Sequence, residues 1–389
     1  MKISVRPWLR LALFSVPLLV FFGVPVAALW LGGEWMPSID IRTRLGATPG
    51  RLVLHGPAFS NRIIYQKTRL IDERRPQVLT LGTSRVLQFR AGFFLPDVRF
   101  LNGGSCIQRV VHFRSLLANI PKERQPEVLI LGLDQYWFNP KSAYTDIVTR
   151  GTAWFEEQRT HEFDRVEMLR HNWWTIDRDL WTGAVPLQKL LSGAGRTDRL
   201  GFTALVRDEG TRNDGSYRYR SYFYDLDDAR HLDRNFSESF RKIDHGLLPY
   251  EWSSELHAPA LKEMEELLAE CDRRGVMVVG FLPPFAHPLI EEMAKIKGGY
   301  DYLPKLEPAL RPLFEQHGFE LYDYTDAAQL GTPDREAIDG FHGTERTYIR
   351  LLVAMLRQGS ALNAYASLPE LEQVLATTTA PSELVPERF

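Results

Sequence analysis

The sequence predicts an α/β protein with a parallel five-stranded sheet, a mixed α/β insertion and an N-terminal transmembrane helix. Five short apolar runs alternate with stretches of helical periodicity, which is the pattern of a parallel sheet covered on both faces. A long apolar stretch near the N-terminus predicts the transmembrane helix. Over 389 residues, 44% apolar and 25% charged residues indicate one large or two ordinary globular domains.

The charge balance and the cysteine count argue against some classes of function. The formal net charge is −2, which gives no basic field, so we expect no nucleic-acid partner. Cys106 and Cys271 are too few for a disulfide framework or a cysteine-rich metal cluster. We expect no metal and no other cofactor.

Residues 1–33 are predicted to form a cytoplasmic N-terminus and a membrane anchor. From Leu11 to Leu31 the only polar side chain is Ser15, and a helix of this length covers a bilayer core of roughly 30 Å. Basic residues precede the stretch at Lys2, Arg6 and Arg10. The positive-inside rule therefore keeps the N-terminus in the cytoplasm and predicts a periplasmic or otherwise extracytoplasmic main domain.

A cleaved signal peptide is the alternative interpretation of this stretch. The apolar run is longer than the usual apolar region of a signal peptide, which has roughly 7–15 residues. Trp30 and Trp35 flank its end without a clear small-x-small cleavage site. An uncleaved single-pass anchor is favoured.

The predicted strands follow a connector at residues 34–75, which includes a short helix around 60–72. The first strand, Val78 to Gly82, leads into Thr83 and Ser84. The other four apolar runs are 98–104, 127–134, 276–282 and 319–324. Helices are predicted at 107–120, at 258–273 before a Gly275 cap, and after Glu345.

The rhythm of strands and helices breaks at residues 141–255, which we interpret as an insertion with structure of its own because it exceeds ordinary loop length. A helix is predicted at 163–171 and a strand at 216–222. The insertion and its borders contain Trp154, Trp173, Trp174, Trp181 and Trp252. These side chains either stack on sugar rings or form a small core, and the core is favoured.

Residues 359–389 are predicted to form a C-terminal helix near 368–375 and a tail. The tail is rich in Thr, Pro and Glu, a composition typical of disorder.

Ser84, Asp339 and His342 are the candidate catalytic residues. A serine nucleophile needs a base within hydrogen-bond reach, and the base needs an acidic partner. Taken singly, Ser84 is equally compatible with a helix N-cap, and Asp339-x-x-His342 with a cap beside a surface histidine. The order of the pieces favours catalysis: serine follows the first strand, glycines the second, Gly-x-Asp the third, and Asp-x-x-His the last.

In this order of pieces the chain resembles the SGNH hydrolase superfamily, over residues 76–140 and 256–358. The resemblance implies a flavodoxin-like three-layer catalytic domain, with Ser84 as nucleophile, His342 as general base and Asp339 orienting it. Asn102-Gly103-Gly104 resembles the second block. This implies that Gly104, or Gly103, lends its backbone N–H to the oxyanion hole beside that of Ser84.

The third block departs from the family pattern, Gly-x-Asn-Asp, whose asparagine amide is an oxyanion donor. Here Gly132-Leu133 is followed by Asp134 and Gln135. An ionised carboxylate would repel the developing charge, and losing one such donor costs roughly 10²–10³ in rate. Either Asp134 turns away and Gln135 or Asn139 takes the role, or Asp134 is held protonated, or catalysis is weak.

Four features resemble a membrane-anchored subset of the superfamily that includes alginate O-acetylation and teichoic acid D-alanylation proteins. They are Gly-Thr-Ser-Arg, the Asp-Gly-Ser-Tyr turn at 214–217, the Leu-Pro-Pro strand end at 282–284, and Asp-Gly-Phe-His at 339–342. The resemblance implies acyl transfer or ester cleavage on an envelope polysaccharide. It also implies an acyl donor and a multi-spanning membrane O-acyltransferase as partners.

Two other functions fit the same sequence. Asp134 and the tryptophans of the insertion are compatible with a non-catalytic glycan-binding or scaffold protein on the same fold. A secreted carbohydrate esterase requires that the N-terminal segment be cleaved.

Overall fold

The computed structural model describes residues 7–46, 50–145, 150–193, 195 and 197–387. Lys2 and Arg6, on which the predicted orientation of the anchor partly rests, lie outside these residues. The chain divides into two compact units. Unit 1 consists of the described residues within 1–48, 52–62 and 162–212. Unit 2 consists of the described residues within 49–51, 63–161 and 213–389.

The helices are numbered in chain order. They are α1 Pro7–Leu31, α2 Ser38–Gly46, α3 Ile63–Arg74, α4 Val110–Ala118, α5 Thr152–Thr160, α6 Arg165–Trp181, α7 Leu187–Leu191, α8 Phe202–Arg207, α9 Ser237–Asp244, α10 Ala258–Arg274, α11 His287–Lys295, α12 Leu303–Glu315, α13 Glu345–Arg357 and α14 Leu368–Thr377.

The strands are short. They are β1 Leu54–His55, β2 Val78–Gly82, β3 Phe100–Gly104, β4 Val128–Gly132, β5 Arg199–Leu200, β6 Gly210–Thr211, β7 Tyr217–Arg218, β8 Met277–Leu282 and β9 Glu320–Asp323.

Unit 2 is built on a five-stranded sheet with the order β3-β2-β4-β8-β9, in which all neighbours are parallel. The chain runs from β2 to β3 on one side and then crosses to β4 on the other side of β2. The carboxyl ends of β2 and β4 therefore flank the point where the strand order reverses, which is where open α/β sheets bind ligands. The α/β class, the parallel five-stranded sheet and the N-terminal apolar helix are confirmed.

Every residue of β2, β3 and β4 is buried, which explains why these strands appear as continuous apolar runs. On one face, Val78, Ile130 and Phe281 pack in a common core with α13 residues such as Leu352. Alternate residues of a strand point to opposite faces, so Leu79 and its equivalents face the other side of the sheet. The helix α10, predicted at 258–273, ends as expected at Gly275, which is left-handed at φ 72°.

Unit 1 contains α1 and the helices α6, α7 and α8. Ala28 and Leu29 of α1 form its small core with Met168, Ile176 and residues of α7 and α8. The helix predicted at 163–171 runs on to Trp181. The segment 141–255, expected to form one insertion, is divided between the two units.

The interpretation of the insertion's tryptophans as a small core is wrong for three of them. Trp174 is 75% exposed, and Trp181 and Trp252 are 57% and 44% exposed. Composition indicates aromatic burial but not which ring reaches the interior, because that depends on the helix facing each ring.

Two further expectations are also corrected. His112 lies off the apolar stripe of the helix predicted at 107–120, which favours a surface position. It is instead fully buried, and its Nε2 lies 2.8 Å from the Arg150 carbonyl oxygen. The C-terminal tail contacts the folded protein, since the N–H groups of Glu383 and Leu384 donate to the Glu345 carboxylate at 2.8 and 3.0 Å. In both places, polar groups form hydrogen bonds with residues that are distant in the sequence, so the local sequence does not reveal these partners.

Candidate active site

Ser84 lies in a turn that follows the carboxyl end of strand β2. The turn is a short 3₁₀ helix, Ser84–Val86, and Thr83 caps it by accepting a hydrogen bond from the Arg85 N–H at 3.2 Å. Thr83, rather than Ser84, is therefore the capping residue. The Ser84 hydroxyl is left free to approach His342, and Ser84 Oγ lies 2.8 Å from His342 Nε2.

Asp339 holds His342 from the other side. Its carboxylate oxygens lie 3.0 and 2.9 Å from His342 Nδ1, and Oδ1 also accepts the backbone N–H groups of Phe341 and His342. Burial by itself raises the pKa of Asp339, but His342 and these hydrogen bonds outweigh it and lower the pKa below its usual value. Because a carboxylate only accepts, Nδ1 carries the proton, and Nε2 is free to accept one from Ser84.

The loop that carries Asp339 and His342 is fixed by residues that sequence reasoning did not identify. Asp233 accepts the Gly340 N–H at 3.0 Å, and Ser239 donates to the same carboxylate. His231 Nε2 donates to the Ile338 carbonyl oxygen at 2.6 Å. These partners come from the 213–255 segment, and only the tertiary structure shows that they meet the loop.

Asp134 is engaged by protein donors. The Thr83 hydroxyl donates to Oδ2 at 2.7 Å, and Arg85 donates to Oδ1 at 3.2 Å. Burial raises the pKa of Asp134, and the charge of Arg85 and the Thr83 hydrogen bond oppose the rise. Asp134 is 1% exposed and does not line the cleft above Ser84.

Arg85 organises the rest of this network. It is 1% exposed, its guanidinium carbon lies 4.3 Å from the ring centres of both Phe285 and Phe341, and it donates to Gln135 and to the Pro283 carbonyl oxygen. The buried cation thus joins the ends of β2, β4 and β8.

The amides expected to replace the missing asparagine point elsewhere. The Gln135 amide donates to the Pro283 carbonyl oxygen at 2.8 Å and to Thr325 at 3.1 Å. Asn139 donates to the Glu251 carbonyl oxygen and accepts the Lys141 N–H. Both side chains are fully buried, and neither lines the cleft.

The two glycines of the second block make room for packing. The Gly104 N–H donates to Asn102 Oδ1 at 2.8 Å, so it is already used within the protein. A Cβ at Gly104 would come within 2.9 Å of Leu87, and one at Gly103 within 2.6 Å of Leu81. For the Ser84 N–H, by contrast, the described structure shows no protein acceptor.

A buried lysine lies behind the Ser84 turn. Lys67 is 1% exposed and donates to the carbonyl oxygens of Gly104 at 2.5 Å and Gly215 at 2.8 Å. The next peptide N–H, that of Ser105, donates to the Thr83 carbonyl oxygen at 3.0 Å. Since the Thr83 carbonyl and the Ser84 N–H belong to one peptide group, a chain of polarised peptides runs from the ammonium to the Ser84 N–H.

The Asp-Gly-Ser-Tyr turn at 214–217 braces the second block. The Asn102 N–H donates to the Asp214 carbonyl oxygen at 2.8 Å, and the Asp214 carboxylate accepts the N–H groups of Ala91 and Ser216. A Cβ at Gly215, whose φ is 82°, would clash with the Asn102 carbonyl oxygen. The motif therefore positions the backbone beside Ser84.

Ser84 and His342 open into a cleft of about 670 Å³. Tyr136, Tyr250 and Phe341 give it aromatic walls, and Arg150, Glu238 and Lys242 add charges of both signs. A cleft with aromatic faces and scattered polar groups has the volume and character of a small-molecule site.

In comparisons with known proteins, no family model, curated protein or solved structure matches this chain at a significant level.

Proposed function

We propose that the protein is a serine-dependent acyltransferase or esterase that acts on O-acyl groups of a bacterial envelope or secreted polysaccharide. The observation that carries the proposal is the continuous hydrogen-bonded chain from Ser84 Oγ through His342 to Asp339 at the mouth of a cleft. Nucleophile, base and orienting acid are within the distances that acyl transfer needs.

The proposal includes an SGNH-type fold. Counted from the first strand of the large sheet, the strand order is 2-1-3-4-5, which is the flavodoxin-like order of doubly wound sheets. Ser84 follows the first strand at the reversal point, as the resemblance implies.

In the proposed reaction, Ser84 Oγ attacks the carbonyl carbon of the acyl ester and its proton passes to His342 Nε2. The tetrahedral intermediate collapses, and the leaving alcohol takes that proton as the ester bond breaks. A sugar hydroxyl or water then gives its proton to His342 and attacks the acyl-serine. The second tetrahedral intermediate collapses, and His342 returns that proton to Ser84 Oγ as the bond between the acyl group and Ser84 breaks. The Ser84 N–H supplies the oxyanion contact, and Asp339 stabilises the imidazolium in both steps.

The proposed setting is the periplasmic side of a bacterial inner membrane. The helix α1 is long and apolar enough to cross a membrane by length and composition. The proposed partners are an acyl donor, the polysaccharide and a multi-spanning O-acyltransferase.

The nucleophile is tested with a fluorophosphonate probe on the full-length protein in detergent. The full chain is used so that unit 1, whose core includes Ala28 and Leu29 of α1, stays intact. Wild type should be labelled, and Ser84→Ala should abolish the label. Ser254→Ala, a serine in unit 2 that does not line the cleft, is the matched control and should be labelled like wild type. Equal labelling of Ser84→Ala would exclude Ser84 as the nucleophile.

A non-catalytic glycan-binding or scaffold role is the second candidate. It is favoured by the third block, where Asp134, Gln135 and Asn139 offer no amide to the cleft, and by the Gly104 N–H, which donates to Asn102. Polysaccharide binding without probe labelling, together with complementation of a deletion strain by Ser84→Ala, would establish this role.

A further inference from the structure

The apolar surface of unit 1 extends beyond α1. Within the described residues, most exposed large apolar side chains belong to unit 1, and several of them lie outside α1. Those outside α1 are Ile39, Val166, Trp174, Trp181, Leu187 and Leu191. A contiguous patch of exposed apolar side chains marks an interaction site, so the position of these side chains relative to α1 matters.

Ring contacts connect part of this surface to the middle of the apolar helix. Trp173 lies 5.6 Å from Phe21 and 5.2 Å from Phe22, measured between ring centres, and Trp174 lies 6.4 Å from Phe21. If α1 is in a bilayer at Phe21, then α6 reaches the bilayer at Trp173 and Trp174.

The charges on α6 limit how deep it lies. Arg170, Asp177 and Arg178 are one turn from these tryptophans along α6. A charged side chain costs roughly 2.5–3.5 kcal/mol at the centre of a membrane helix, whereas tryptophan prefers the headgroup level. The turns of α6 that flank Trp173 and Trp174 therefore belong at the membrane surface and not in the hydrocarbon.

One face of the end of α1 is covered by protein. Pro25, Ala28 and Leu29 are buried, and the last two pack on residues of α6, α7 and α8. By contrast, Phe14 is 71% exposed and Phe22 53% exposed. The apolar helix thus has a part that faces outward and a final part that is a core element of unit 1.

We propose that the bilayer surface crosses α1 near Phe21 and Phe22, with Trp173 and Trp174 at the headgroup level, and that residues 23–31 of the apolar stretch lie outside the hydrocarbon. The lipid-covered part of that stretch is then Leu11–Phe22, about 18 Å at 1.5 Å per residue, so the bilayer must thin locally around α1. The inference rests on the proposed membrane anchor. In this arrangement, lipid molecules contact the exposed tryptophan side chains.

Depth-dependent fluorescence quenching tests the boundary. Full-length Phe14→Cys, Phe22→Cys and Trp174→Cys are labelled with an environment-sensitive fluorophore, since Cys106 and Cys271 are buried. Each is reconstituted into phosphatidylcholine vesicles that carry a quencher near the glycerol or near the end of the acyl chain. Vesicles without quencher give the reference emission.

We expect the deep quencher to reduce the Phe14→Cys signal most, and the shallow quencher to reduce the Phe22→Cys and Trp174→Cys signals most. Deepest quenching at Phe22→Cys would overturn the proposed boundary, because it would place the centre of the span there. Quenching at Phe14→Cys with none at Trp174→Cys would also overturn the inference, leave the anchor intact and indicate a protein partner on the tryptophans. If Phe14→Cys is not quenched, the anchor itself fails.

Discussion

Three buried cations surround the Ser84 turn, and each is held by specific oxygens. Lys67 donates to two carbonyl oxygens, Arg85 to Asp134, Gln135 and Pro283, and Arg90 to Glu345 and Glu387. A buried charge is tolerated only when such partners compensate for the lost hydration. The sequence does not predict that these three side chains are buried, because charged residues are ordinarily at the surface.

Lys67 gives a pH dependence of stability that can be measured. Burial lowers its pKa from 10.5 to about 8, with Cys106 and Asp214 opposing the shift. Between these pH values the unfolded chain keeps a proton that the folded protein has lost. The contribution of Lys67 to the free energy of unfolding therefore rises with pH across this window, by about 3 kcal/mol at 1.36 kcal/mol per unit, and is flat below it.

We expect Lys67→Met to remove this rise. Urea unfolding of wild type and variant at both ends of the window measures the difference. Groups remote from Lys67 affect the two proteins alike, so their effect cancels. Cys106 does not cancel, because burial raises the pKa of its thiol and Lys67 lowers it, so Cys106→Ala is introduced into both proteins. An equal rise in the variant would show that Lys67 does not titrate in this range.

At the scale of elements, the turn before α13 determines how well His342 works. Asp339 accepts two backbone N–H groups as well as His342 Nδ1, so one carboxylate fixes both the loop and the imidazole tautomer. The second and third blocks serve mainly as structural joints, because Asn102 and Arg85 tie neighbouring strand ends together.

We expect Asp339→Asn to lower the rate of fluorophosphonate labelling by about 10³–10⁴-fold while the fold is kept, because an amide favours the wrong tautomer of His342. Asp326→Asn is the matched control. Asp326 holds His287 Nδ1 at 3.0 Å in a similar pair that does not contact Ser84. A similar loss in both variants would indicate a general effect of removing a carboxylate.

At the scale of the whole molecule, the proposed chemistry and the apolar anchor belong to different compact units. Ser84, Asp339 and His342 are all in unit 2, and α1 is in unit 1. Each unit has a core of its own.

Deletion of residues 1–33 should therefore expose the core of unit 1 but leave the fluorophosphonate labelling of Ser84 unchanged. Met168 and Ile176 lose the contact with Ala28 and Leu29, so amide hydrogen exchange in α6 should become fast. Exchange followed by mass spectrometry measures this, with α13 as the internal reference. Unchanged protection of α6 would show that unit 1 does not need α1.

The sequence by itself determined the five strands, the ends of α10, the apolar α1 and the order of the chemistry-bearing residues, because apolar periodicity and glycine caps are local signals. It could propose Ser84, Asp339 and His342 but not their contact, since Ser84 and His342 are 258 residues apart along the chain. Tertiary structure decided the partners of Asp134 and Gly104, the exposure of Trp174 and the burial of Lys67. Each depends on which distant backbone or side-chain group satisfies a polar atom or covers a ring, and that is settled only when the strands and helices pack.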